Sequence, residues 1–401
     1  MTVTILPQKA QGTVKAPPSK SMAHRLLICA AMAEGKSRIG GLSLSEDVSA
    51  TLDCLASLGI SYSQNADEVT VYGTDVTRSV PNAAFNCRES GSTLRFMIPI
   101  ALLSGKEVTF CGAPSLMKRP MGIYEALCRE KDLFFEKKGN TITVKGPLRS
   151  GEYVLSGDVS SQFITGLLFA LSNVGNSRIR ILPPFESRSY VDLTLSALRD
   201  FGAEIVWEDE YTLYIPKKAT LRSRDCEVEG DYSNAAFLDA LTHVGGDVSV
   251  VGLRADSLQG DRVYKTYFEK LKKGTPTLDL RDCPDLAPIL FSLAAAGHGG
   301  VFKGTRRLSI KESNRSAVMA EELAKFGVRV TVEEDRVTVD PTGFHAPTEP
   351  LCGHNDHRIV MSMAVLCTLV GGTVTGAEAV WKSYPSFFDD LRSLGVKTVV
   401  S

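Results

Sequence analysis

The chain has 401 residues, of which 43% are hydrophobic, 45 are basic and 46 are acidic. This composition is typical of a globular protein, and the length exceeds what one hydrophobic core usually supports, so we expect two domains. The formal net charge of -1 argues against a nucleic-acid partner, because nucleic-acid-binding proteins usually carry a basic excess.

A lone strand is predicted in the opening segment MTVTILPQK, which lacks the basic start and apolar core of a secretory signal. No apolar run reaches the roughly 18 residues of a membrane span, so we expect a cytoplasmic protein with no membrane partner. The nine cysteines are scattered without a Cys-x-x-Cys pair, which favours reduced thiols and predicts no metal site.

The first helix is predicted in the stretch APPSKSMAHRLLICAAMAEG, where Lys20, Ser21 and Arg25 stand at or near its start. Helix N-termini offer free N–H groups and a positive dipole end, so this arrangement is typical of an anion site. It is not a Walker P-loop, because the glycines that precede the Lys-Ser pair in that motif are missing. A capped helix with solvated charges is the alternative interpretation.

One sequence theme then recurs six times along the chain. An apolar helical run ends in glycine and is followed by a short β-branched strand, as in IALLSGKEVTFCG and VLCTLVGGTVTG. The first four such glycines fall at equal intervals, at Gly35, Gly105, Gly175 and Gly245. Regular self-similarity of this kind predicts repeated supersecondary units.

A second theme alternates with the first. An amphipathic helix leads through a turn into a hairpin, as in LTLSALRDFGAEIVWEDEYTLYIP, so the hydrophobic period changes from 3.6 to 2. Six units result, and the fourth is shortened at YFEKLKKGTPTLDL. Because one unit cannot bury both faces of its strands, three units together are expected to form a domain.

The predicted fold is therefore α/β, with two similar lobes of three repeats each. The N-terminal lobe is placed at 14–220, and the C-terminal lobe at 221–401 with 1–13 returning to it, because 217–224 is basic and irregular. Two lobes on a short hinge predict a ligand cleft between them.

Polar clusters interrupt several of the apolar helix starts at corresponding places in the repeats. Taken alone, each could be a helix cap or a solvated ion pair. Gathered at one place, their lysines and arginines would bind small polyanions, and Asp285 and Glu312 would be carboxylates able to move protons. The clusters are SKSMAHR, RESGSTLR, LMKRPMG, DVSSQF, ESRSY, PDLAP, KESNR, NDHR and WKSYP.

From about residue 16 to 388 the chain resembles the 5-enolpyruvylshikimate-3-phosphate synthase family. The resemblance rests on these motifs in this order: PPSKSMAHR, SGSTLR, MKRPMG, VSSQF, EGDYSNAAF, KESNR and NDHRIVMSMA. The resemblance implies two inverse α/β, barrel-like domains of three βαβαββ repeats each, with the active site between them. It also implies transfer of the enolpyruvyl group of phosphoenolpyruvate to the 5-hydroxyl of shikimate 3-phosphate through a tetrahedral adduct, with release of phosphate. This reaction is the sixth step of the shikimate route, and the resemblance implies no metal or organic cofactor.

The resemblance also implies roles for individual residues. Asp285 would take the 5-hydroxyl proton, Glu312 would protonate the methylene carbon, and Lys20 would touch both substrates. The implied shikimate 3-phosphate contacts are Lys20, Ser21, Arg25, Ser160, Ser161, Gln162, Ser187, Tyr190, Asp285 and Lys311. The implied phosphoenolpyruvate contacts are Lys20, Gly91, Arg119, Gln162, Arg315, Arg358 and Lys382. We expect a monomer, with glyphosate as an inhibitor that competes with phosphoenolpyruvate.

Three features depart from the family's pattern: the Arg88-Glu89 lead-in to the SGSTLR loop, Arg307 where asparagine is common, and Arg188 in SRSY. Two alternatives remain at this point. UDP-N-acetylglucosamine enolpyruvyl transferases share the fold, but their mobile-loop cysteine is missing from APSLMKRPMG. A non-catalytic binder of phosphorylated metabolites would not need both Asp285 and Glu312.

Overall fold

The structure, a computed structural model, describes residues 1–79 and 84–401. The chain separates into two compact units, Lys20–Glu229 on one side and Met1–Ser19 with Gly230–Ser401 on the other. Each unit has a hydrophobic core of its own. We call Lys20–Glu229 the first unit and the remainder of the chain the second unit.

The first unit contains three four-stranded sheets with one shared topology. In each sheet an edge strand runs parallel to its neighbour, and the neighbour pairs antiparallel with one strand of a hairpin. In sheet order, the strands are β14 (Cys226–Glu227), β3 (Gly35–Gly40), β5 (Glu68–Gly73) and β4 (Ser61–Asn65); β6 (Phe85–Asn86), β7 (Glu107–Cys111), β9 (Thr141–Lys145) and β8 (Phe134–Lys138); and β10 (Glu152–Ser156), β11 (Ser177–Leu182), β13 (Thr212–Ile215) and β12 (Val206–Trp207).

Two kinds of helix join these strands. The helices that end near a repeat glycine are buried on almost every side, whereas those that lead into hairpins bury one face, as their amphipathic patterns predict. The buried helices are α1 (Lys20–Met32), α3 (Gly91–Leu103) and α6 (Ser161–Ser172). The helices that lead into hairpins are α2 (Glu46–Ser57), α5 (Gly122–Glu130) and α7 (Arg188–Asp200), and a short helix, α4 (Pro114–Met117), precedes α5.

The second unit repeats the same scheme with two modifications. One sheet keeps the topology, one takes its third strand from the chain's N-terminus, and one is reduced to a parallel pair. In sheet order, the strands are β16 (Thr277–Asp279), β17 (Gly300–Lys303), β19 (Arg336–Asp340) and β18 (Arg329–Glu333); β20 (Leu351–Cys352), β21 (Gly372–Thr375), β1 (Thr2–Ile5) and β22 (Thr398–Val400); and β15 (Asp247–Val251) and β2 (Gln11–Lys15). The helices are α8 (Tyr232–His243), α9 (Tyr264–Lys273), α10 (Ala287–Ala296), α11 (Arg315–Ala324), α12 (His357–Val370) and α13 (Phe387–Ser393).

The chain passes between the units at two places, and each crossing supplies a strand to the unit it leaves or enters. β2 precedes the first unit in sequence but pairs with β15 of the second unit. β14 follows the third repeat but pairs with β3 of the first repeat. The two compact units change at 19/20 and 229/230. β2 spans the predicted boundary at 13/14, and β14 follows the predicted boundary at 220/221. The predicted return of the N-terminal segment corresponds to the pairing of β1 with β21 and β22.

The six repeated units agree with the predicted α/β fold. One detail differs: the strands of the described residues form six separate sheets and do not close into barrels. The shortened fourth repeat has no hairpin at all, because α9 leads directly to β16 of the next repeat. Among the described residues, no helix is long and apolar enough to cross a membrane.

Candidate active site

Lys20 stands at the first position of α1, and its ammonium group is held by a carboxylate from the next helix. Its Nζ donates to Oδ2 of Asp47 at 2.7 Å, and both side chains keep a little over a tenth of their surface exposed. Asp47 lies in the first turn of α2, where the positive end of the helix dipole stabilises a carboxylate. Asp47 therefore directs Lys20, and the sequence-based prediction did not include it.

Arg25 lies one turn further along α1 and is buried. Its guanidinium donates to the carbonyl oxygens of Ser21 and Tyr190 at 2.7 and 2.8 Å, and its Nε donates to Thr194 Oγ1 at 2.9 Å. Burial lowers the pKa of Arg25 to about 10, although nearby Tyr190 opposes the shift. Arg25 thus ties α1 to α7 in addition to any ligand role, and its predicted phosphate contact stays a prediction.

The start of α3 forms a second polar cluster in the first unit. Arg95 donates to Gln162 Oε1 at 2.6 Å, and Gln162 Nε2 donates to Ser92 Oγ at 2.9 Å, which joins α3 to α6. Gly91 opens α3 so close to Arg119 that an added Cβ would lie 2.7 Å from Arg119 Nη1. The predicted residues Gly91, Arg119 and Gln162 are therefore neighbours at the N-terminus of one helix.

The remaining predicted residues of the first unit stand at the starts of α6 and α7. Ser160 caps α6 and accepts the backbone N–H of Gln162 at 3.3 Å, and Ser161 is the first residue of that helix. Ser187 precedes α7 in a left-handed conformation with φ of 58°. Such a conformation is uncommon for a residue with a side chain and occurs more often at functional sites. Tyr190 contributes its carbonyl oxygen to Arg25.

Arg315 is the centre of the charged cluster in the second unit. Its side chain is 1% exposed, and its three nitrogens each reach a different carboxylate: Nε reaches Asp356 at 2.9 Å, Nη1 reaches Asp285 at 2.7 Å, and Nη2 reaches Glu312 at 2.7 Å. The two predicted proton-transfer residues, Asp285 and Glu312, are thus held by one guanidinium. This arrangement gives Arg315 an organising role that the predicted substrate contact did not anticipate.

Asp285 is surrounded by cations. Besides Arg315, Arg358 lies 3.1 Å and Lys311 3.3 Å from its carboxylate oxygens. Burial alone would raise the pKa of Asp285, but Arg358, Lys311 and Arg315 together hold it well below its usual value. Burial lowers the pKa of Lys311, and the attraction of Asp285 offsets that effect only in part. Asp285 is therefore a carboxylate at neutral pH.

Asp356 is a fully buried carboxylate that the sequence-based set of site residues omitted. It caps α12 by accepting the backbone N–H of Arg358 at 2.9 Å, and it also accepts Ser313 Oγ at 3.0 Å and Arg315 Nε. Burial opposes ionisation, but the charge of Arg315 keeps the pKa of Asp356 below its usual value. The NDHR motif contained the signal, since aspartate before an apolar helix is a typical cap.

Lys382 joins this region through the backbone. Its side chain is largely buried, and its Nζ donates to the carbonyl oxygen of Asn355 at 2.6 Å, in the loop that leads to Asp356. Each predicted site residue of the second unit thus belongs to, or lies beside, the cluster around Arg315. The predicted residues of the first unit stand at the starts of four helices, α1, α3, α6 and α7, with Arg119 beside Gly91.

The three departures from the family's pattern have local explanations. Arg88 pairs with Asp53 at 2.7 Å, and Glu89 accepts the hydroxyl of Ser115 at 2.6 Å, so the lead-in is anchored on both sides. The side chains of Arg188 and Arg307 also have defined contacts. Arg188 stacks 4.2 Å from the centroid of the Trp207 ring, and Arg307 donates to the carbonyl oxygen of Arg281 at 2.6 Å.

One group of side chains among the described residues has the spacing of metal ligands, namely Glu321, Glu322 and His354. Glu322 is fully buried, and its carboxylate already lies 3.0 Å from Lys325 Nζ and 2.8 Å from His354 Nε2. Its charge is therefore balanced by the protein, and it anchors the loop at Cys352 by accepting that backbone N–H at 2.9 Å. We assign this group a structural role.

Each unit carries cations at or near helix N-termini, an arrangement typical of proteins that bind small anions. Residues 6–391 match the family model described as EPSP synthase (3-phosphoshikimate 1-carboxyvinyltransferase). The chain therefore belongs to the EPSP synthase family and is a transferase.

Curated relatives carry the same name. The 3-phosphoshikimate 1-carboxyvinyltransferase of Clostridium kluyveri is 38% identical over 424 residues, which covers 98% of this chain and 97% of the relative. That of Clostridioides difficile is 35% identical over 425 residues, with the same coverage of both chains. These relatives support the predicted shikimate 3-phosphate reaction over the UDP-N-acetylglucosamine alternative.

Solved structures show the same fold. An EPSP synthase from Acinetobacter baumannii superimposes with a TM-score of 0.79 over the full length of both chains at 24% identity. The enolpyruvyl transferase NikO from Streptomyces tendae superimposes with a TM-score of 0.76 at 14% identity, covering 99% of this chain and 98% of NikO. At these identities the similarity concerns the fold alone.

Proposed function

We propose that the chain transfers the enolpyruvyl group of phosphoenolpyruvate to the 5-hydroxyl of shikimate 3-phosphate and releases phosphate. The observation that carries this proposal is the position of Asp285 and Glu312 on adjacent nitrogens of the buried Arg315 guanidinium. Two carboxylates at one place can serve the proton transfers that the reaction requires. The family membership of the chain supports the same reaction.

In the first step, the 5-hydroxyl oxygen attacks C2 of phosphoenolpyruvate. Asp285 accepts the hydroxyl proton, while Glu312 in its acid form donates a proton to the methylene carbon, so the alkene becomes a methyl group in a tetrahedral adduct. In the second step, the Glu312 carboxylate removes a proton from that methyl group and the C2–O bond to phosphate breaks. The proton taken up by Asp285 leaves with the products.

The low pKa of Asp285 in the unliganded protein would make it a weak base. Arg358 and Lys311, which lower this pKa, are also proposed to bind the substrates' anionic groups. When a bound phosphate or carboxylate shares that positive charge, less of it acts on Asp285, and the pKa of Asp285 rises. Substrate binding would thereby switch on the base.

The cations have a second task, because both substrates carry a carboxylate and a phosphate and therefore repel each other. We propose that Lys20 contacts both substrates. The other proposed phosphoenolpyruvate contacts are Gly91, Arg119, Gln162, Arg315, Arg358 and Lys382. Shikimate 3-phosphate would be bound by Ser21, Arg25, Ser160, Ser161, Gln162, Ser187, Tyr190, Asp285 and Lys311. Holding two reactants in a productive orientation can lower a barrier by about 7–11 kcal/mol in well-oriented model systems.

The test of this function is phosphate release from phosphoenolpyruvate with different acceptors. We expect release with shikimate 3-phosphate, together with a product whose mass is that of the acceptor plus one enolpyruvyl group. Release with UDP-N-acetylglucosamine instead would favour the sister activity. Binding of both phosphorylated metabolites without release in any combination would leave only a non-catalytic binder.

Lys20→Met is expected to raise the KM of both substrates by about 10- to 100-fold, since one charge-assisted contact contributes about 1.5–3 kcal/mol. The measurement is steady-state kinetics with each substrate varied in turn. Lys36→Met, on the exposed face of β3 in the same unit, is the matched control and should leave both KM values unchanged. An increase confined to one substrate would reassign Lys20 to that substrate alone.

Gly91→Ala is expected to weaken phosphoenolpyruvate binding, because the new methyl group would lie 2.7 Å from Arg119 Nη1 and displace that guanidinium. We also propose glyphosate as a competitor of phosphoenolpyruvate, so its inhibition should weaken in the same variant. Competition assays on wild type and variant measure both effects. Gly59→Ala, with no atom within 4 Å of the added Cβ but a φ of 93°, controls for the effects of a glycine substitution away from the site. Unchanged values for Gly91→Ala would remove Gly91 from the site.

We further propose that the active form is a monomer in the cytoplasm. The nine cysteines are free, as expected for a reducing compartment. Activity that follows the elution position of a single chain in size-exclusion chromatography would support a monomer. Activity found only in a larger species would contradict it.

A further inference from the structure

A series of buried hydrogen bonds, here called the hydroxyl chain, links three helices of the first unit. His24 Nδ1 lies 2.7 Å from Thr51 Oγ1, Thr51 Oγ1 lies 2.8 Å from Thr93 Oγ1, and Thr93 Oγ1 donates to Ser90 Oγ at 2.8 Å. All four side chains are at most 1% exposed. The chain therefore runs from α1 through α2 to the residue that caps α3.

The direction of this chain follows from counting hydrogens. Each threonine hydroxyl has only one hydrogen to donate. The acceptors of the Thr93 hydroxyl are Ser90 Oγ at 2.8 Å and the carbonyl oxygen of Asp47 at 3.4 Å, so its one hydrogen is not available to Thr51. Thr51 must therefore donate to Thr93, and His24 Nδ1 must donate to Thr51. The imidazole of His24 thus carries its proton on Nδ1.

The surroundings of the ring agree with this tautomer. His24 Nε2 is buried and has no polar partner among residues 1–79 and 84–401, so a proton there would be an unpaired buried donor. Burial, then Lys20 and Arg25, hold the pKa of His24 well below its ordinary value, which keeps the ring neutral. The ring also packs edge-on against Phe96, with centroids 6.3 Å apart.

The three helices that the chain connects carry the proposed anion contacts of this unit. α1 begins with Lys20, α2 carries its partner Asp47, and α3 begins with Gly91 beside Arg119. Ser90 fixes the start of α3 by accepting the backbone N–H of Thr93 at 3.2 Å as well as its hydroxyl. A change in this series of hydrogen bonds would therefore move the backbone N–H groups at Gly91 relative to Lys20.

We propose that His24, as the Nδ1–H tautomer, is a positioning residue for phosphoenolpyruvate, acting through Thr51, Thr93 and Ser90 on the N-terminus of α3. This inference rests on the proposed function, because it assigns Gly91 to the phosphoenolpyruvate end of the site. In this scheme none of these four side chains contacts either substrate. Its effect on catalysis comes through the orientation of the helix start.

The first test is spectroscopic and needs no substrate. In protein labelled with ¹⁵N-histidine, the signals of His24 are those lost in His24→Asn. We expect Nδ1 to show the chemical shift of a protonated ring nitrogen and Nε2 that of an unprotonated one, without titration between about pH 6 and 8. A proton on Nε2, or titration in that range, would overturn the proposal.

The second test separates positioning from stability. Thr51→Val keeps the shape of the side chain and removes the hydroxyl, so we expect the KM of phosphoenolpyruvate to rise about tenfold, while that of shikimate 3-phosphate changes less than about twofold. Thr70→Val, a buried threonine of β5 without a side-chain hydrogen bond among the described residues, is the matched control. Equal KM values for phosphoenolpyruvate in the two variants would overturn the proposal.

A pair of substitutions at His24 completes the test. Asparagine can still donate a hydrogen bond towards Thr51, whereas leucine fills space without a donor. We expect His24→Asn to keep the phosphoenolpyruvate KM near that of the wild type and His24→Leu to match Thr51→Val. Equal KM values for the two variants would contradict the donor role. A wild-type protein that releases no phosphate would instead refute the proposed function. The ring-nitrogen spectrum would still show which nitrogen of His24 carries the proton.

Discussion

Glu312→Gln is expected to lower turnover by about 10²–10⁴-fold, the range for loss of a general acid, while shikimate 3-phosphate binding stays largely intact. Glutamine keeps the shape of the side chain and an oxygen that can accept from Arg315 Nη2, which now lies 2.7 Å from Glu312. It cannot donate a proton to the methylene carbon at a useful rate. Phosphate release and calorimetric titration with shikimate 3-phosphate measure the two quantities.

The matched control for this substitution is Glu321→Gln on α11. Glu321 has a largely exposed side chain outside the cluster around Arg315, so both turnover and binding should stay at wild-type values. Turnover of Glu312→Gln equal to that of the control would remove Glu312 from the mechanism. Loss of shikimate 3-phosphate binding together with turnover would show that Glu312 holds the site together instead of supplying a proton.

Asp356→Asn is expected to destabilise the fold by about 3 kcal/mol at pH 7, since removing one partner of a buried ion pair costs about 3–5 kcal/mol. The lower end applies because Arg315 keeps Asp285 and Glu312 as partners. Asparagine is a good helix cap and should preserve the start of α12. We also expect turnover to fall, because Arg315 would lose the contact that fixes its guanidinium beneath both carboxylates.

The pH dependence of this difference has a definite sign. Burial raises the pKa of Asp356, but the charge of Arg315, together with His357 and the hydrogen bond from Arg315, holds it below its usual value in the folded protein. The carboxylate therefore stabilises the fold fully above its unfolded pKa of about 3.9. That contribution is lost as the pH falls towards the folded pKa. Denaturant unfolding should therefore show a difference between wild type and variant that shrinks below about pH 4.

A surface carboxylate provides the comparison for Asp356. Asp389→Asn breaks an exposed pair with Arg392, and such pairs contribute little to stability, so its free energy of unfolding should stay close to that of the wild type. If Asp356→Asn were as stable as Asp389→Asn at pH 7, the buried network would not hold Arg315 in the way described. A difference that stayed constant down to about pH 3 would contradict the assigned ionisation of Asp356.

The repeats could be predicted because the helices and strands of each repeat are encoded by short stretches of neighbouring residues. Hydrophobic period, terminal glycines and β-branched runs are properties of neighbouring residues, and they located the helix and strand pairs correctly. The parallel pairing of β2 with β15 is not local, since it joins residues more than 200 positions apart. The pairing of β14 with β3 is likewise not local, so neither pairing could be predicted from neighbouring residues.

The site was predictable to the extent that its residues follow recognisable motifs. Asp285, Lys311, Glu312, Arg315 and Arg358 do come together. Asp47 and Asp356 were missed because, in sequence, an acidic residue at a helix start is indistinguishable from a cap. The hydroxyl chain from His24 was missed because its members lie on three separate helices. The cleft between the lobes stays a prediction.

Deuterium incorporation from heavy water tests the central claim, which is that Glu312 protonates the methylene carbon and later removes a proton from the resulting methyl group. If the wild-type reaction is run in D₂O, the account predicts a product with deuterium in the vinyl group of its enolpyruvyl moiety, detected by mass spectrometry and NMR. The shikimate ring should carry none at carbon. Full product formation without vinyl deuterium would contradict the account, because no methyl group would have formed.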